Sequence, residues 1–159
     1  MMAKKYLILI TLVFIAIKGF SQSKKTIKAQ KIKTIIETKT EGAKTITESK
    51  IIYDKDGNPT EIVDYNKEGQ IKSIHKLKYN SEGDEIEDLE YNSSNNLVEK
   101  KITKYSLIGE KTEEVYFDAA GKQIKKTTYT YDSKGLKTEK KTTDDSGKVI
   151  SVKHYTYTK

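Results

Sequence analysis

Short runs in which hydrophobic and polar residues alternate follow one another along most of this chain, and each run ends at a small polar cluster. Two examples are "PTEIVDY" (59–65) and "IKSIHKLKY" (71–79), which are rich in Thr, Ile, Val and Tyr. Runs of this length and composition predict antiparallel strands. Helix is the competing interpretation for lysine- and glutamate-rich stretches such as "TEKKTT", but the spacing of the turns leaves no segment long enough for a stable helix.

The polar clusters recur regularly, with a shorter step and a longer step in alternation, as from Tyr53 to Tyr65 and from Tyr65 to Tyr79. They read "YDKDG" at 53–57, "YNKEG" at 65–69, "YNSEG" at 79–83, "YNSSN" at 91–95, "YSLIG" at 105–109, "FDAAG" at 117–121, "YDSKG" at 131–135 and "TDDSG" at 143–147. The full repeat therefore contains two turns and has a 26-residue period, as from Tyr53 to Tyr79. Such regularity is typical of a repeat architecture.

The composition of each cluster has a backbone explanation. Asp or Asn after the aromatic residue can accept hydrogen bonds from amides of the turn, and the glycine three residues later can take the positive φ that closes a type I turn with a bulge. Asn95 replaces this glycine in the fourth cluster, and Asn tolerates that conformation better than other residues with a side chain. We therefore predict a structural turn role for Gly57, Gly69, Gly83, Gly109, Gly121, Gly135 and Gly147.

These features predict an all-β fold, an elongated antiparallel meander of β-hairpin repeats that forms a single twisted sheet or an open β-spiral. Eight strands run from residue 59 to the end of the chain. The segments "KIKTIIETK" and "AKTITESKIIY", which flank "TEG", add an N-terminal hairpin as a divergent copy. The repeat domain is predicted to span 31–159, after a flexible leader over 22–30 with the sequence "QSKKTIKAQ".

Two faces follow if each aromatic residue pairs with the residue just after the turn glycine, because strand parity then changes at every turn. The first, which we name the Ile/Val face, carries Val63, Tyr65, Ile74, Leu89, Tyr91, Val98, Ile102, Val115, Phe117, Ile124, Ile150 and Val152. The second, which we name the Tyr face, carries Ile71, Leu77, Tyr79, Leu97, Tyr105, Tyr116, Tyr129, Tyr131, Tyr155 and Tyr157. We expect the Ile/Val face to be the inner one, although the Tyr face is not purely polar.

Residues 1–21, within "MMAKKYLILITLVFIAIKGFSQS", are typical of a secretory signal peptide, with lysines at the start, an apolar run from Tyr6 to Ile17 and small residues after it. Gly19 and Ser21 predict cleavage before Gln22. A membrane anchor is the alternative, but the run of twelve residues is shorter than the about 20 that a spanning helix needs. We expect a secreted, periplasmic or cell-envelope protein with no membrane span after cleavage.

Composition narrows the possible partners. The chain contains no cysteine, so stability must come from strand pairing and packing rather than from disulfides. After removal of 1–21 the chain keeps 27 lysines and 23 acidic residues, a mild net charge of +4. It contains no arginine, whose guanidinium group is favoured for recognising phosphates and base edges. Nucleic acid is therefore not an expected partner.

The element Y[DN]xxG, above all in "YTYDSKGLKTEKKTT" (129–143) and "YDKDGNPTEI" (53–62), resembles the YD repeats of Rhs-type and teneurin-type proteins and of small exported proteins of Bacteroidota. This resemblance covers residues 53–157 and implies strand–turn–strand repeats, an envelope or extracellular setting and, for some relatives, carbohydrate binding. In large Rhs proteins such repeats build a β-spiral shell around a toxin. This chain is too short to enclose a cargo and has no toxin domain or self-cleavage motif, so the shell function does not carry over.

Few residues offer catalytic or metal-binding chemistry. The histidines His75 and His154 occupy non-equivalent repeat positions, which favours ordinary strand-surface residues over a shared metal site. Two carboxylate pairs occur in turns, Asp54 with Asp56 and Asp144 with Asp145. They could indicate calcium binding or glycoside hydrolysis, but "DKDGN" lacks the ligand spacing of an EF-hand and turn capping explains acids at these positions. We predict no catalytic residue, no metal and no cofactor.

Repeated tyrosines are the one feature with recognisable binding chemistry, because a phenol offers a large apolar face, a polar tip and few rotamers. The alternative is that tyrosines near the turns hold consecutive hairpins together. We predict an exported, non-catalytic binding or scaffold repeat protein whose partner is a protein or a glycan of the cell envelope. A carbohydrate-binding module is the alternative function, and a hydrolase that uses turn carboxylates is less favoured. The candidate binding residues are Tyr129, Tyr131, Tyr155 and Tyr157.

Overall fold

A computed structural model describes residues 23–158, and the predicted signal segment 1–21 lies outside the described residues. One short helix, α1 (Lys24–Ala29), precedes ten strands in this part of the chain. The strands are β1 (Thr34–Glu41), β2 (Lys44–Tyr53), β3 (Pro59–Tyr65), β4 (Ile71–Tyr79), β5 (Glu85–Asn92), β6 (Leu97–Tyr105), β7 (Lys111–Asp118), β8 (Gln123–Tyr131), β9 (Lys137–Asp144) and β10 (Val149–His154).

All ten strands form one antiparallel sheet whose spatial order follows the sequence from β1 to β10. Among the described elements, extensive contacts occur only between consecutive strands, and β1 and β10 form the two edges. The prediction of an all-β hairpin meander is therefore confirmed, with a single open sheet as its form. The predicted N-terminal hairpin is present as β1 and β2, which are joined through Gly42.

Each repeated turn is held by the same hydrogen bonds. In the first, the Gly57 amide donates to the Asp54 carbonyl at 3.2 Å, and the Asp54 amide donates to the Asn58 carbonyl at 2.9 Å. The Asp54 carboxylate also accepts the amides of Asp56 and Asn58, each at 2.8 Å. All seven predicted turn glycines have positive φ, as does Asn95 at 60°. The local sequence thus determines these turns through backbone geometry and side-chain capping.

Strand register differs from the expected pairing by one residue. Tyr53 lies opposite Pro59, the second residue after Gly57, and a β-bulge falls between Ile52 and Tyr53. Equivalent bulges accompany the other repeated turns, for example between Asp64 and Tyr65. Because the bulge adds one residue, strand parity still changes at each turn. The predicted division into an Ile/Val face and a Tyr face therefore holds along the strands, as in the ladder that joins Val63 to Ile74 and Ile74 to Tyr91. At two bulges it does not hold, because Ile71 lies opposite Tyr65 and Leu97 lies opposite Tyr91, which places Ile71 and Leu97 on the Ile/Val face.

The expectation that the Ile/Val face is the inner one is wrong. Of the apolar residues described on that face only Val63 and Val115 are buried, and side chains such as Ile150 are exposed. The buried strand residues of the Tyr face are Ser49, Ile51, Ser73, Leu77, Thr103, Glu114, Thr127 and Tyr129. Five of these eight residues are polar, and long side chains on this face bond across strands, as Tyr129 does to Glu114, so burial here does not depend on apolar content alone.

The N-terminal leader differs from the flexible segment that the sequence predicts, because α1 is ordered against the sheet. The Ser23 hydroxyl accepts the Thr26 amide at 3.2 Å and caps the helix. Ile27 is only 2% exposed, and a Cβ placed on Gly57 would lie 2.7 Å from the Lys24 carbonyl oxygen. Burial of one isoleucine and close contact with a turn thus fix a helix too short to recognise from its sequence pattern. Within residues 23–158, no helix has the length and apolar character that crossing a membrane requires.

Candidate binding surface

Three tyrosines that are spaced by the 26-residue repeat make the same long-range hydrogen bond. The hydroxyls of Tyr105, Tyr131 and Tyr157 donate to the carbonyl oxygens of Glu85, Lys111 and Lys137, at 3.0, 2.8 and 2.9 Å. Each carbonyl belongs to the first residue of the preceding strand. These tyrosines therefore join neighbouring hairpins, and two of the four predicted binding residues have this structural role.

Tyr129 has a different environment, because it is buried among polar groups. It is 9% exposed, and its hydroxyl donates to Glu114 Oε2 at 2.6 Å. Glu114 also accepts hydrogen bonds from Lys111 Nζ at 2.8 Å and from the Tyr116 hydroxyl at 3.2 Å. Burial raises the pKa of Glu114, but the hydrogen bonds from Lys111 and Tyr129 outweigh it and the net pKa is lowered. Burial and the Glu114 carboxylate raise the pKa of the Tyr129 phenol.

Tyr155 and Tyr157 lie on the surface near the C-terminal edge, where they are 38% and 54% exposed. Lys137 Nζ lies 5.0 Å from the ring centroid of Tyr129 and 5.7 Å from that of Tyr155. Lys140 Nζ lies 5.5 Å from the Tyr129 ring. These distances are those of cation–π contacts. We name this group the Tyr–Lys end, and its members are Tyr129, Lys137, Lys140, Tyr155 and Tyr157.

The Tyr–Lys end carries excess positive charge. Among the described residues neither Lys137 nor Lys140 forms an ion pair with a carboxylate, and both instead contact tyrosine rings. Burial lowers the pKa of Lys140, and the nearby charges of Lys153, Lys137 and Lys111 lower it further, against the opposing charge of Glu114. Residues 119–159 contain ten lysines but only four acidic residues. This end of the sheet therefore suits a partner that brings carboxylates or other anions.

An ionic ladder on the Tyr face was not recognised from the sequence. Its members are His75, Asp88, Lys101 and Glu114. They alternate in charge, and each lies 13 residues after the previous one, which is half of the 26-residue repeat. His75 Nδ1 lies 2.9 Å from Asp88 Oδ1, and Lys101 Nζ lies 3.4 Å from Asp88 Oδ2 and 2.7 Å from Glu85 Oε1. This half-repeat spacing was the signal that could have revealed the ladder, since opposite charges recur along it.

The pKa values within the ionic ladder reflect this pairing. The hydrogen bond to Asp88 raises the pKa of His75 despite the opposing effect of burial. Burial raises the pKa of Asp88, but the hydrogen bond and charge of His75, together with Lys101, lower it overall. Burial likewise opposes the charged form of Lys101, and Glu85 and Asp88 outweigh it and raise the pKa of Lys101. Each charge therefore stabilises its neighbour within the chain.

The structure does not bring the two histidines together. His75 lies on the Tyr face, where its Nε2 is buried and has no hydrogen-bond partner among the described residues. His154 lies at the exposed edge, on the Ile/Val face, with its Nδ1 3.7 Å from Glu139 Oε2. Residues 23–158 contain no group of three or more His, Cys, Asp or Glu side chains placed to hold a metal ion.

Turn carboxylates are engaged in local contacts. The Asp144 carboxylate accepts the amides of Ser146 and Lys148 at 3.0 and 2.9 Å, in the same way as Asp54. Asp145 pairs with Lys122 at 2.6 Å. Asp56 pairs with Lys55 at 2.7 Å and with Lys28 at 2.9 Å, and these hydrogen bonds lower its pKa to about 2. These contacts explain the acids as turn and surface groups, as the capping interpretation predicts.

The Ile/Val face carries a second ionic pattern, in which one glutamate lies between two lysines. Glu87 contacts Lys78 at 2.7 Å and Lys100 at 3.1 Å. One repeat later, Glu113 contacts Lys104 at 2.8 Å and also contacts Lys126. Glutamate recurs at this repeat position, at Glu61, Glu87, Glu113 and Glu139, and a cross-strand Lys/Glu pair is the expected contact for a glutamate flanked by lysines on the neighbouring strands.

An open groove of about 1000 Å³ lies between α1 and the turns at Gly57 and Gly83. Its lining includes Lys24, Asn58 and Tyr79. The groove is polar, and two of its five lysines, Lys28 and Lys55, are paired with Asp56, which also lines it. Its lining also includes the carboxylates of Asp54, Asp56 and Glu82, so positive charge predominates less in the groove than at the Tyr–Lys end.

No family model and no curated protein matches this chain. Among solved structures, a protein of unknown function from Bacteroides fragilis is similar with 15% identity and a TM-score of 0.43, over 80% of this chain and 96% of that one. A porin-like protein from Bacteroides uniformis is 14% identical with a TM-score of 0.39, over 75% of this chain and 48% of that one. The GtfA/B complex bound to UDP and GlcNAc is 13% identical with a TM-score of 0.29, over 76% of this chain and 24% of that one. Similarities at this level carry no functional assignment.

Proposed function

We propose that this chain is an exported, non-catalytic binding or scaffold module of the cell envelope. The supporting observation is the sheet itself, which is one layer thick and offers two broad faces and open edges. Exposed apolar residues on the Ile/Val face, such as Ile36, Val98 and Ile124, remain available for contact with a partner. Repeat sheets of this kind present extended surfaces rather than enclosed pockets.

The absence of catalysis in this proposal rests on how the ionisable groups are used. Asp54 and Asp144 accept turn amides, His75 pairs with Asp88, and Glu114 holds three donors. A catalytic site needs an acid, a base or a nucleophile that converges on a substrate position. Ionisable groups that already form hydrogen bonds or ion pairs within the chain stabilise the fold instead.

Export and envelope location rest on the N-terminal segment, with its lysines, apolar run and small residues. Mass spectrometry of the protein from cells tests this part of the proposal. We expect a mature chain that begins at or near Gln22. A protein that retains Met1 would support the membrane anchor instead.

The alternative function is a carbohydrate-binding module, which the exposure of Tyr155 and Tyr157 favours because exposed phenol rings can stack on sugars, even where the hydroxyl is bonded as in Tyr157. Tyr129 does not suit this role, since its ring is buried and its hydroxyl is bound to Glu114. Tyr131 is bound to the Lys111 carbonyl, which also argues for a structural role.

Chemical cross-linking of chain 22–159 in envelope extracts, combined with a glycan array, tests the two functions against each other. We expect cross-linked protein partners and no glycan signal. Glycan binding that disappears in the Tyr155→Ala and Tyr157→Ala variants would instead establish the carbohydrate-binding alternative. Turnover of a glycoside or peptide substrate that is lost in Asp144→Asn would refute the non-catalytic proposal.

A further inference from the structure

Strand β10 forms one edge of the sheet and is its most exposed strand, because every one of its residues is exposed. The Tyr155 amide donates to the Thr138 carbonyl at 3.0 Å, so the N–H of Tyr155 points toward β9. N–H directions alternate along an antiparallel strand. The N–H of Lys153 therefore also points toward β9, and those of Val152 and His154 point away from the sheet. This edge offers backbone hydrogen bonds that an extended peptide can accept and donate.

The side chains beside this edge differ on the two faces. On the Ile/Val face the edge presents Ile150 and Val152, which are 58% and 41% exposed. On the Tyr face it adjoins Lys137 and Lys140, which contact tyrosine rings and have no carboxylate partner among residues 23–158. A strand added here would place successive side chains alternately beside an apolar surface and beside a cationic one.

We propose that the open edge of β10, together with the Tyr–Lys end, binds an extended acidic segment of a partner protein, which adds to the sheet as one more strand. Acidic residues of the segment lie on the Tyr face near Lys137 and Lys140, and apolar residues lie beside Ile150 and Val152. The inference rests on the proposed function, because it names the kind of partner that the binding module recognises.

Charge decides between this partner and a second copy of the chain. Residues 34–53, which form the opposite edge strand β1 and its neighbour β2, together contain three lysines and three glutamates and so offer no excess of negative charge. Residues 119–159 contain ten lysines and four acids. Lysines near an edge oppose pairing with a neutral or basic strand, and the same lysines favour an acidic one. Open backbone groups favour a peptide over an acidic polysaccharide, which cannot satisfy them as a strand does.

Fluorescence anisotropy with chain 22–159 and a labelled peptide of alternating glutamate and valine tests the proposal. We expect binding of this peptide and no binding of a matched peptide in which lysine replaces glutamate. The double variant Lys137→Glu/Lys140→Glu should weaken binding by about tenfold or more, since each lost ion pair is replaced by repulsion. Lys67→Glu/Lys72→Glu is the matched control, because it makes the same change of charge at two exposed residues near the start of β4 and should alter affinity less than about twofold.

Val152→Pro tests the backbone part of the site, because it removes an outward N–H without breaking a bond to β9, and proline is tolerated at such edge positions. We expect a loss of affinity of about tenfold, with an unchanged circular dichroism spectrum. Hydrogen exchange on the unmodified chain provides a second test, in which the amides of Val152 and His154 become protected when the peptide binds.

Three outcomes would overturn the inference. The first is that the lysine peptide binds as well as the acidic peptide, and the second is that the amides of Val152 and His154 are not protected when the acidic peptide binds. The third is that another ligand takes the place of the acidic peptide. That ligand would be a second copy of the chain, or an anionic polysaccharide that binds Val152→Pro as well as the unmodified chain. If the peptide does not bind while cross-linking recovers envelope proteins, this inference fails and the proposed function stands. If neither experiment finds a protein partner, both fail.

Discussion

Single residues in this chain have roles that depend on their place in the repeat. The turn glycines share a positive φ, but their surroundings differ along the sheet. A Cβ on Gly57 would meet the Lys24 carbonyl oxygen at 2.7 Å, whereas one on Gly121 would meet nothing within 4 Å. The backbone requirement is common to both glycines, and close packing against α1 is added only at the first.

We therefore expect Gly57→Ala to destabilise the protein more than Gly121→Ala does. Gly121→Ala should lower the free energy of unfolding by about 1 kcal/mol, the usual effect of a side chain at positive φ. Gly57→Ala adds a backbone clash with α1 and should cost roughly 1 to 2 kcal/mol more. Urea unfolding measures both values. Asn95→Gly is the control and should not destabilise, because Asn95 already has a φ of 60°. Equal effects at both glycines would contradict the packing of α1 against the turn.

Two adjacent glutamates on β7 provide a second comparison at the residue scale. Glu114 is 6% exposed and holds three donors on the Tyr face, whereas Glu113 pairs with exposed lysines on the Ile/Val face. We expect Glu114→Gln to lower the free energy of unfolding by roughly 2 kcal/mol, because it weakens charge-assisted bonds to Lys111 and Tyr129 in a buried site. Glu113→Gln should cost less than about 1 kcal/mol, since solvent screens its partners. Denaturant melts decide the order, and a larger effect at Glu113 would contradict the assignment of the buried face.

At the scale of the strands, the ionic ladder makes stability depend on pH. The raised pKa of His75 means that the folded protein binds this proton more tightly than the unfolded chain does. Its contribution is therefore complete below the ordinary histidine value of 6.5 and is lost as the pH rises through the raised pKa. The lowered pKa of Asp88 has the opposite sign, and its contribution is lost as the pH falls through that lowered value.

His75→Gln isolates the histidine part of this dependence. We expect the variant to be less stable than the unmodified chain by an amount that is largest near about pH 5.5 and shrinks as the pH passes the raised pKa of His75. Urea unfolding at a series of pH values gives this difference directly. A difference that stays constant into the alkaline range would show that the role of His75 is packing alone.

The strands and turns could be predicted from the sequence because their signals are local. Turn residues such as Asp54 and Gly57 act over a few neighbouring positions, and the 26-residue period repeats the signal. Helix α1 could not be predicted, because so short a segment carries too little pattern and the helix depends on contact with the turn at Gly57. The inner face was misjudged since burial here does not depend on apolar content alone. Cross-strand bonds of long polar side chains, such as that of Tyr129 to Glu114, also bury residues of the Tyr face.

The candidate site could be predicted only in part. Tyr155 and Tyr157 were identified because tyrosines are chemically distinctive, and the structure leaves both exposed. Lys137 and Lys140 were not identified, because lysines occur throughout the sequence and only the register of β8 and β9 places these two over the Tyr129 ring. The chemistry of a side chain can be identified from a single residue in the sequence, whereas contact between residues on different strands depends on the strand register.

For the molecule as a whole, stability should grow with the number of repeats, because each described strand contacts only its neighbours. A second copy of residues 106–131 inserted after Tyr131 keeps the 26-residue period and adds two strands to the sheet. We expect this longer chain to fold with the same circular dichroism signature and to unfold at a higher urea concentration than the original chain. The same insertion with one strand residue removed is the control, since it moves the following side chains of that strand to the opposite face and should lower the midpoint. A longer chain that is less stable than the original would contradict nearest-neighbour stabilisation.

The even number of strands has a consequence for protein engineering. β1 starts and β10 ends on the same long side of the sheet, so the described chain enters and leaves on the side that also holds α1 and the turns at Gly57 and Gly83. The opposite side holds five turns, at Gly42, Gly69, Asn95, Gly121 and Gly147. Consecutive turns on this side are two strand spacings apart, so peptides grafted into them would form a row with about 10 Å between neighbours. A Cβ at any of the four glycines would meet nothing within 4 Å. This side of the sheet therefore has room to display several grafted antigen peptides at a regular spacing.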